Sequence, residues 1–158
     1  VDIIKLEDPA DAAGLELYLI DKYKPLNDWI YFNATPVTQG TVALNSVTGE
    51  RVISKDILGR KHKEITFGID MISGYDNTGT SNTNLDAMDE VLNFSDWLDN
   101  ITSDNYPDFG KNNTIEKIEV LNNVPDIFIN ETNSLAKYEF QARIKYVEER
   151  KENNNAKT

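Results

Sequence analysis

The sequence predicts an α+β domain, a mostly antiparallel curved sheet with two helices packed on one face. Three observations predict it. In residues 134–148, Ala136, Tyr138, Phe140, Ala142, Ile144 and Tyr146 alternate strictly with Lys137, Glu139, Gln141, Arg143 and Lys145, the period-two pattern of a long strand with one buried and one wet face. A second alternation runs from Glu64 to Ile72, with Ile65, Phe67, Ile69 and Met71 on one side and Thr66, Gly68 and Asp70 on the other. Two stretches with helical spacing are interleaved with these strands, and that order of elements is the signature of helices covering a sheet.

The first helix starts at Asp8-Pro9, where Asp caps free amides and Pro fits the first helical position, and Lys24-Pro25 ends it. Its buried stripe is Ala12, Leu15, Leu19 and Tyr23. Trp29 to Phe32 has strand composition, and Thr41 to Val47 with Glu50 to Ser54 reads as a hairpin around Thr48-Gly49. After the Glu64 strand, Gly74 to Asn84 is a polar, turn-rich loop in which Thr83 or Asn84 caps the second helix. That helix carries a stripe of Leu85, Met88, Leu92, Ser95 and Leu98, widened by Val91, Phe94 and Ile101 and flanked by Trp97. A loop from Asp104 to Asn113 leads to strands at Ile115 to Leu121 and Ile127 to Ile129, then to the long strand. Residues 1–150 make one domain, and 151–158, almost devoid of apolar side chains, make a flexible polar tail.

The chain has 158 residues, enough for one domain with a real core. Sixteen basic against 27 acidic residues give a formal net charge of -11, the wrong sign for a free-standing nucleic-acid binder. No apolar run reaches membrane-span length and the start of the chain lacks a basic-then-apolar signal pattern, so a soluble, non-exported protein is expected. Without cysteine there is no disulfide framework, thiol nucleophile or thiolate ligand. Five Asn-x-Ser/Thr triplets, at Asn33, Asn93, Asn100, Asn112 and Asn130, follow from an asparagine-rich composition and are not expected to carry sugar.

Candidate chemistry is sparse. His62 is the only histidine, within the basic run Gly59-Arg-Lys-His-Lys-Glu64, and no Gly-x-Ser-x-Gly elbow supplies it with a nucleophile. The loop Asp76-Asn-Thr-Gly-Thr-Ser-Asn82 offers hard oxygen ligands, but an EF-hand needs Gly where Ser81 stands and Glu where Ala87 stands. Asp86, Asp89, Glu90, Asp96 and Asp99 lie opposite the apolar stripe of their helix, as its solvated face, and lack an opposed partner across a cleft. Neither a phosphate-binding Gly-x-x-x-x-Gly-Lys-Ser/Thr loop nor a dinucleotide Gly-x-Gly-x-x-Gly turn is present. These residues predict no enzymatic activity, no catalytic or metal site and no cofactor.

Glu64-Ile-Thr-Phe-Gly-Ile-Asp-Met71, Asn84-Leu-Asp-Ala-Met88, Trp97-Leu98, Tyr106-Pro107 and Ala136-Lys-Tyr-Glu-Phe-Gln-Ala-Arg-Ile-Lys-Tyr146 together resemble the small minor capsid proteins of tailed phages of Gram-positive bacteria. The resemblance covers about Arg60 to Glu148, and the order of elements is similar to the tail terminator, or head-to-tail joining, fold of long non-contractile tails. It implies a structural virion protein with no catalytic residues. It also implies a homo-oligomeric ring, usually a hexamer, that caps the tail tube protein and docks it to the head connector or stopper. DNA would pass through the ring without specific binding, helped by an acidic lining. The protein would be made in the host cytoplasm and end in the virion, at the head-tail interface.

The expected docking arm is the segment Thr41 to Leu58, whose Val42, Leu44, Val47, Val52, Ile53, Ile57 and Leu58 are more apolar residues than a free loop needs. Two alternatives share these features in part. Another neck or tail-tube protein, such as a head completion adaptor, would stack or require a head partner, and a monomeric small-ligand-binding α+β domain would not assemble.

Overall fold

The computed structural model describes residues 18–23, 30–45 and 51–149. In chain order these residues form helical residues 18–22 (α1), β1 (Tyr31–Phe32), β2 (Val42–Asn45), β3 (Arg51–Lys55) and β4 (Lys61–Gly74). There follow α2 (Thr83–Asp99), a 3-10 turn at Ser103–Asn105, β5 (Asn113–Val120), β6 (Asp126–Asn130) and β7 (Leu135–Glu148). The fold is α+β, with one mostly antiparallel seven-stranded sheet. The first half of the expected helix 8–24, Trp29, Val47, the Thr48-Gly49 turn and the polar tail lie outside the described residues.

The two alternating segments found in the sequence are the spine of the sheet. β4 and β7 have 14 residues each and pair antiparallel throughout, from Lys61 opposite Glu148 to Gly74 opposite Leu135. This register stacks Ile65 on Ile144, Ile69 on Phe140 and Met71 on Tyr138, all buried on one face. Slipping either strand by one residue would turn every one of these side chains to the wet face, so the pattern excludes odd slips of the register. The opposite face pairs Glu64 with Lys145, Thr66 with Arg143 and Asp70 with Glu139.

Each spine strand is long enough to take two short strands end to end on its outer edge. Along β4 lie β2, from Val42 opposite Met71 to Asn45 opposite Gly68, and then β3, from Arg51 opposite Glu64 to Lys55 opposite Lys61. Along β7 lie β5 and β6 in the same way. The hairpin expected between Thr41–Val47 and Glu50–Ser54 is therefore not formed: β2 and β3 both run antiparallel to β4, hence in the same direction, and do not pair with each other. The hairpin in this region joins β3 to β4. Its turn is Asp56 to Arg60, where Gly59 at φ 82° takes the left-handed position that closes a three-residue loop. Among the described residues the parallel pairing is that of β1 with β2, Tyr31 opposite Ala43 and Phe32 opposite Leu44.

Both helices contribute to the core on the apolar face. α2 buries Ala87, Val91, Phe94 and Leu98, spaced by four, three and four residues. The expected stripe is rotated by about one position: Leu85 is exposed, Leu92 is half-buried, and Phe94 is central. Aromatic packing sets the phase. The Phe94 ring meets Phe140 edge-on at 5.7 Å and lies 4.5 Å from Tyr23, which follows α1, while Trp97 lies 5.0 Å from Tyr23. The Tyr18 hydroxyl donates to the Asn105 carbonyl at 2.5 Å, and burial raises its pKa.

Neither Thr83 nor Asn84 caps α2. The N-cap is Asn82, which makes no side-chain capping bond. Asn84 turns back to the preceding loop, its amide bonded to the Asp76 carbonyl at 2.9 Å and its oxygen to the Asp76 amide at 2.8 Å.

Candidate assembly interface

The β3–β4 arm is built from its turn. The Asp56 carboxylate accepts from the backbone amides of Leu58 and Arg60, both at 3.0 Å, and from the Arg60 guanidinium at 2.8 Å. Desolvation pushes the Asp56 pKa up, but the bonds from Arg60 and His62 outweigh it and hold the carboxyl below its ordinary range. His62 Nε2 lies 3.3 Å from Asp56 and Nδ1 lies 3.9 Å from Glu116 on β5, so the lone histidine ties the root of the arm to its neighbour. The result is a hydrogen-bonded turn that holds two aliphatic side chains in water. Ile57 is fully exposed and Leu58 is 63% exposed.

Of the seven residues expected at the interface, Val52, Ile53, Ile57 and Leu58 stand on the surface of this arm. Val42 and Leu44 do not: on β2 they belong to the core, with Leu44 fully buried, because β2 is a sheet strand rather than one side of the arm. They are removed from the candidate contact. Val47 lies outside the described residues.

A second apolar surface was not anticipated. Every residue of β6 is exposed, Ile127, Phe128 and Ile129 included, and Val124 just before it is exposed too. The sequence did carry a signal. Three successive apolar residues in a strand cannot all face one core, since alternation sends at least one outward. Phe128 pairs across to Lys137 on the polar face, whose ammonium sits 4.7 Å from the ring centre.

The polar face of the sheet between these surfaces is charged. Arg143 donates to Glu119 through Nε at 2.9 Å and through Nη2, and lies 3.6 Å from Glu64. Arg143 first, then Lys117, lowers the Glu119 pKa to about 2. Towards the other end, Asp70, Glu139 and Asp126 form one cross-strand row of acids. Asp70 is buried and accepts from Thr35 at 2.8 Å and Asn45 at 2.5 Å, while the Asn45 side-chain oxygen is buried without a partner among the described residues. Desolvation, then Asp70, raises the Glu139 pKa. Asp70, Glu139, Thr35 and Asn45 line an open recess of about 530 Å³.

The remaining chemical candidates are occupied within the fold. The Asp76 carboxylate accepts four hydrogen bonds, from the amides and hydroxyls of Thr78 and Ser81, which hold its pKa well below the usual range. It organises its own loop. The helix acids Asp86, Asp89, Glu90, Asp96 and Asp99 are exposed. Among the described residues no group of three or more His, Cys, Asp and Glu is placed to hold a metal ion, and no helix is long and apolar enough to cross a membrane. No protein-family model matches the chain, and no curated protein matches it.

Proposed function

We propose that this chain is a structural virion protein, a tail terminator that closes into a hexameric ring at the end of a long non-contractile phage tail and docks the tube to the head connector. The observation that carries the proposal is the arm. Turn residues of hairpins are ordinarily polar, yet here a carboxylate and a guanidinium fix a turn whose tip is Ile57 and Leu58. Exposed apolar side chains on a rigid support are the mark of a contact surface. The charged sheet face and the sequence resemblance over Arg60 to Glu148 support the same assignment.

The double substitution Ile57→Asp with Leu58→Asp tests it. At exposed positions it should change folding stability by no more than about 0.5 kcal/mol. In assembly it should be severe, because burying unpaired carboxylates in a docked interface is costly. Electron microscopy of lysates carrying the variant should show heads and tails unjoined, or tails of irregular length. Normal virions at normal yield would contradict the arm's role, and absence of the protein from wild-type virions would contradict the terminator assignment.

A further inference from the structure

We infer that the subunits join edge to edge, with the open edge of β3 in one copy pairing antiparallel with the open edge of β6 in the next. The inference deepens the ring proposed above and rests on it for closure and copy number, while the contact itself is argued from the two strands.

Among the described residues β3 and β6 are outer strands on opposite edges of the sheet and near opposite ends of its spine: β3 pairs with β4 at residues 61–64, and β6 pairs with β7 at residues 135–139. Each is five residues long, and each is exposed at every position. β3 runs against β4, β4 against β7 and β7 against β6, so β3 and β6 point in opposite directions within one subunit. A second copy in the same orientation, brought alongside, therefore meets β6 with an antiparallel β3. Exposed apolar edge strands are templates for such pairing, and neither the β-bulge at Ile53 nor the charges at the strand ends withdraws Val52 and Ile129 from the surface.

Charge chooses the occupant. β3 is bracketed by Arg51 and Lys55, while β6 begins at Asp126 and is followed directly by Glu131, all of them exposed. Antiparallel pairing of β3 with β6 brings Lys55 to the Asp126 end and Arg51 to the Glu131 end, a match of charge end to end rather than face to face, because a β-bulge at Ile53 turns Lys55 to the helix side while Asp126 stands on the polar side. Pairing β3 with another β3 would instead gather Arg51 and Lys55 at each end, and β6 with β6 would gather Asp126 and Glu131. Like charges gathered at the strand ends oppose both self-pairings. The apolar centres also match, with Val52 opposite Ile129. Both stand on the helix side of the sheet, because their ladder partners Lys63 and Ala136 do. Contact between two different patches is heterologous, the kind that propagates from copy to copy and closes into a ring when its rotation permits.

The chain has no cysteine, so engineered disulfides report cleanly. Val52→Cys and Ile129→Cys together should give, on mild oxidation, an intermolecular ladder up to the closed oligomer, since paired strands bring Cα atoms within bonding range. Neither single variant should cross-link. An equal mixture of the two single variants should stop at the disulfide dimer. In parallel, Lys55→Glu or Asp126→Lys alone should weaken self-association by about threefold or more, and the two together should restore it. Cross-linking by one single variant alone overturns the inference in favour of a self-paired edge. An oligomer by native mass that neither cross-links nor responds to the charge exchanges also overturns it, while leaving the ring standing. A monomer at every concentration removes both.

Discussion

Phe94→Ala should lower folding stability by about 3–5 kcal/mol, the largest loss expected from any single truncation on α2. Phe94 has no exposed surface, and its ring ties three elements together: Phe140 on β7, Tyr23 beside α1, and Trp97 one turn along its own helix. Truncation would lose its apolar burial and leave a cavity whose walls come from both layers and cannot all relax inward. The same change at Leu85, which is 61% exposed on the other side of the helix, should stay within about 0.5 kcal/mol of wild type. Chemical denaturation of the two variants decides the phase of α2. Equal losses, or a larger loss at Leu85, would mean that another face of the helix meets the sheet.

Arg143→Ala should cost about 1–2 kcal/mol at neutral pH, because it removes the charge-assisted hydrogen bonds that Glu119 accepts from the guanidinium and the ion pair with Glu64, leaving Lys117 at 3.0 Å as the nearest cation to Glu119. Its pH dependence identifies the cause. Glu119 has its pKa lowered in the fold from 4.5 to about 2, so its contribution is fully present above pH 4.5 and is lost as pH falls towards 2. Without Arg143 that pKa rises part of the way towards its ordinary value, with Lys117 still lowering it, and the variant has less to lose on acidification. The stability gap between wild type and variant should therefore narrow between about pH 5 and pH 2. A gap that stays constant across this window would assign the effect of Arg143 to packing of its aliphatic stem.

The spine of this fold was legible because its information is local. Strict alternation in β4 and β7 specifies strand and buried face at once, and the structure has both. The pairing of β2 and β3 was not legible. Thr48-Gly49 has turn composition, and nothing in residues 41–55 reveals that a 14-residue neighbour will take both strands in line. The phase of α2 was missed by a comparable margin, since Leu85 and Leu92 fit an aliphatic stripe equally well until Phe94 finds Phe140 and Tyr23 across the core. At the candidate interface, the apolar surplus of the arm was visible, but Val42 and Leu44 divide from Val52, Ile53, Ile57 and Leu58 only once strand pairing is known. The outward face of β6 was implicit in Ile127-Phe128-Ile129 and became a surface only through its place at the sheet's edge.

The central claim, a ring-forming virion component, is tested most directly by native mass spectrometry of the purified protein, alone and with the tail-tube protein of the same virion. The account predicts one closed oligomer, expected at six times the 17.9 kDa chain, that persists on dilution and binds the end of the tube. A 17.9 kDa monomer at every concentration, with the tube protein present or absent, would contradict it.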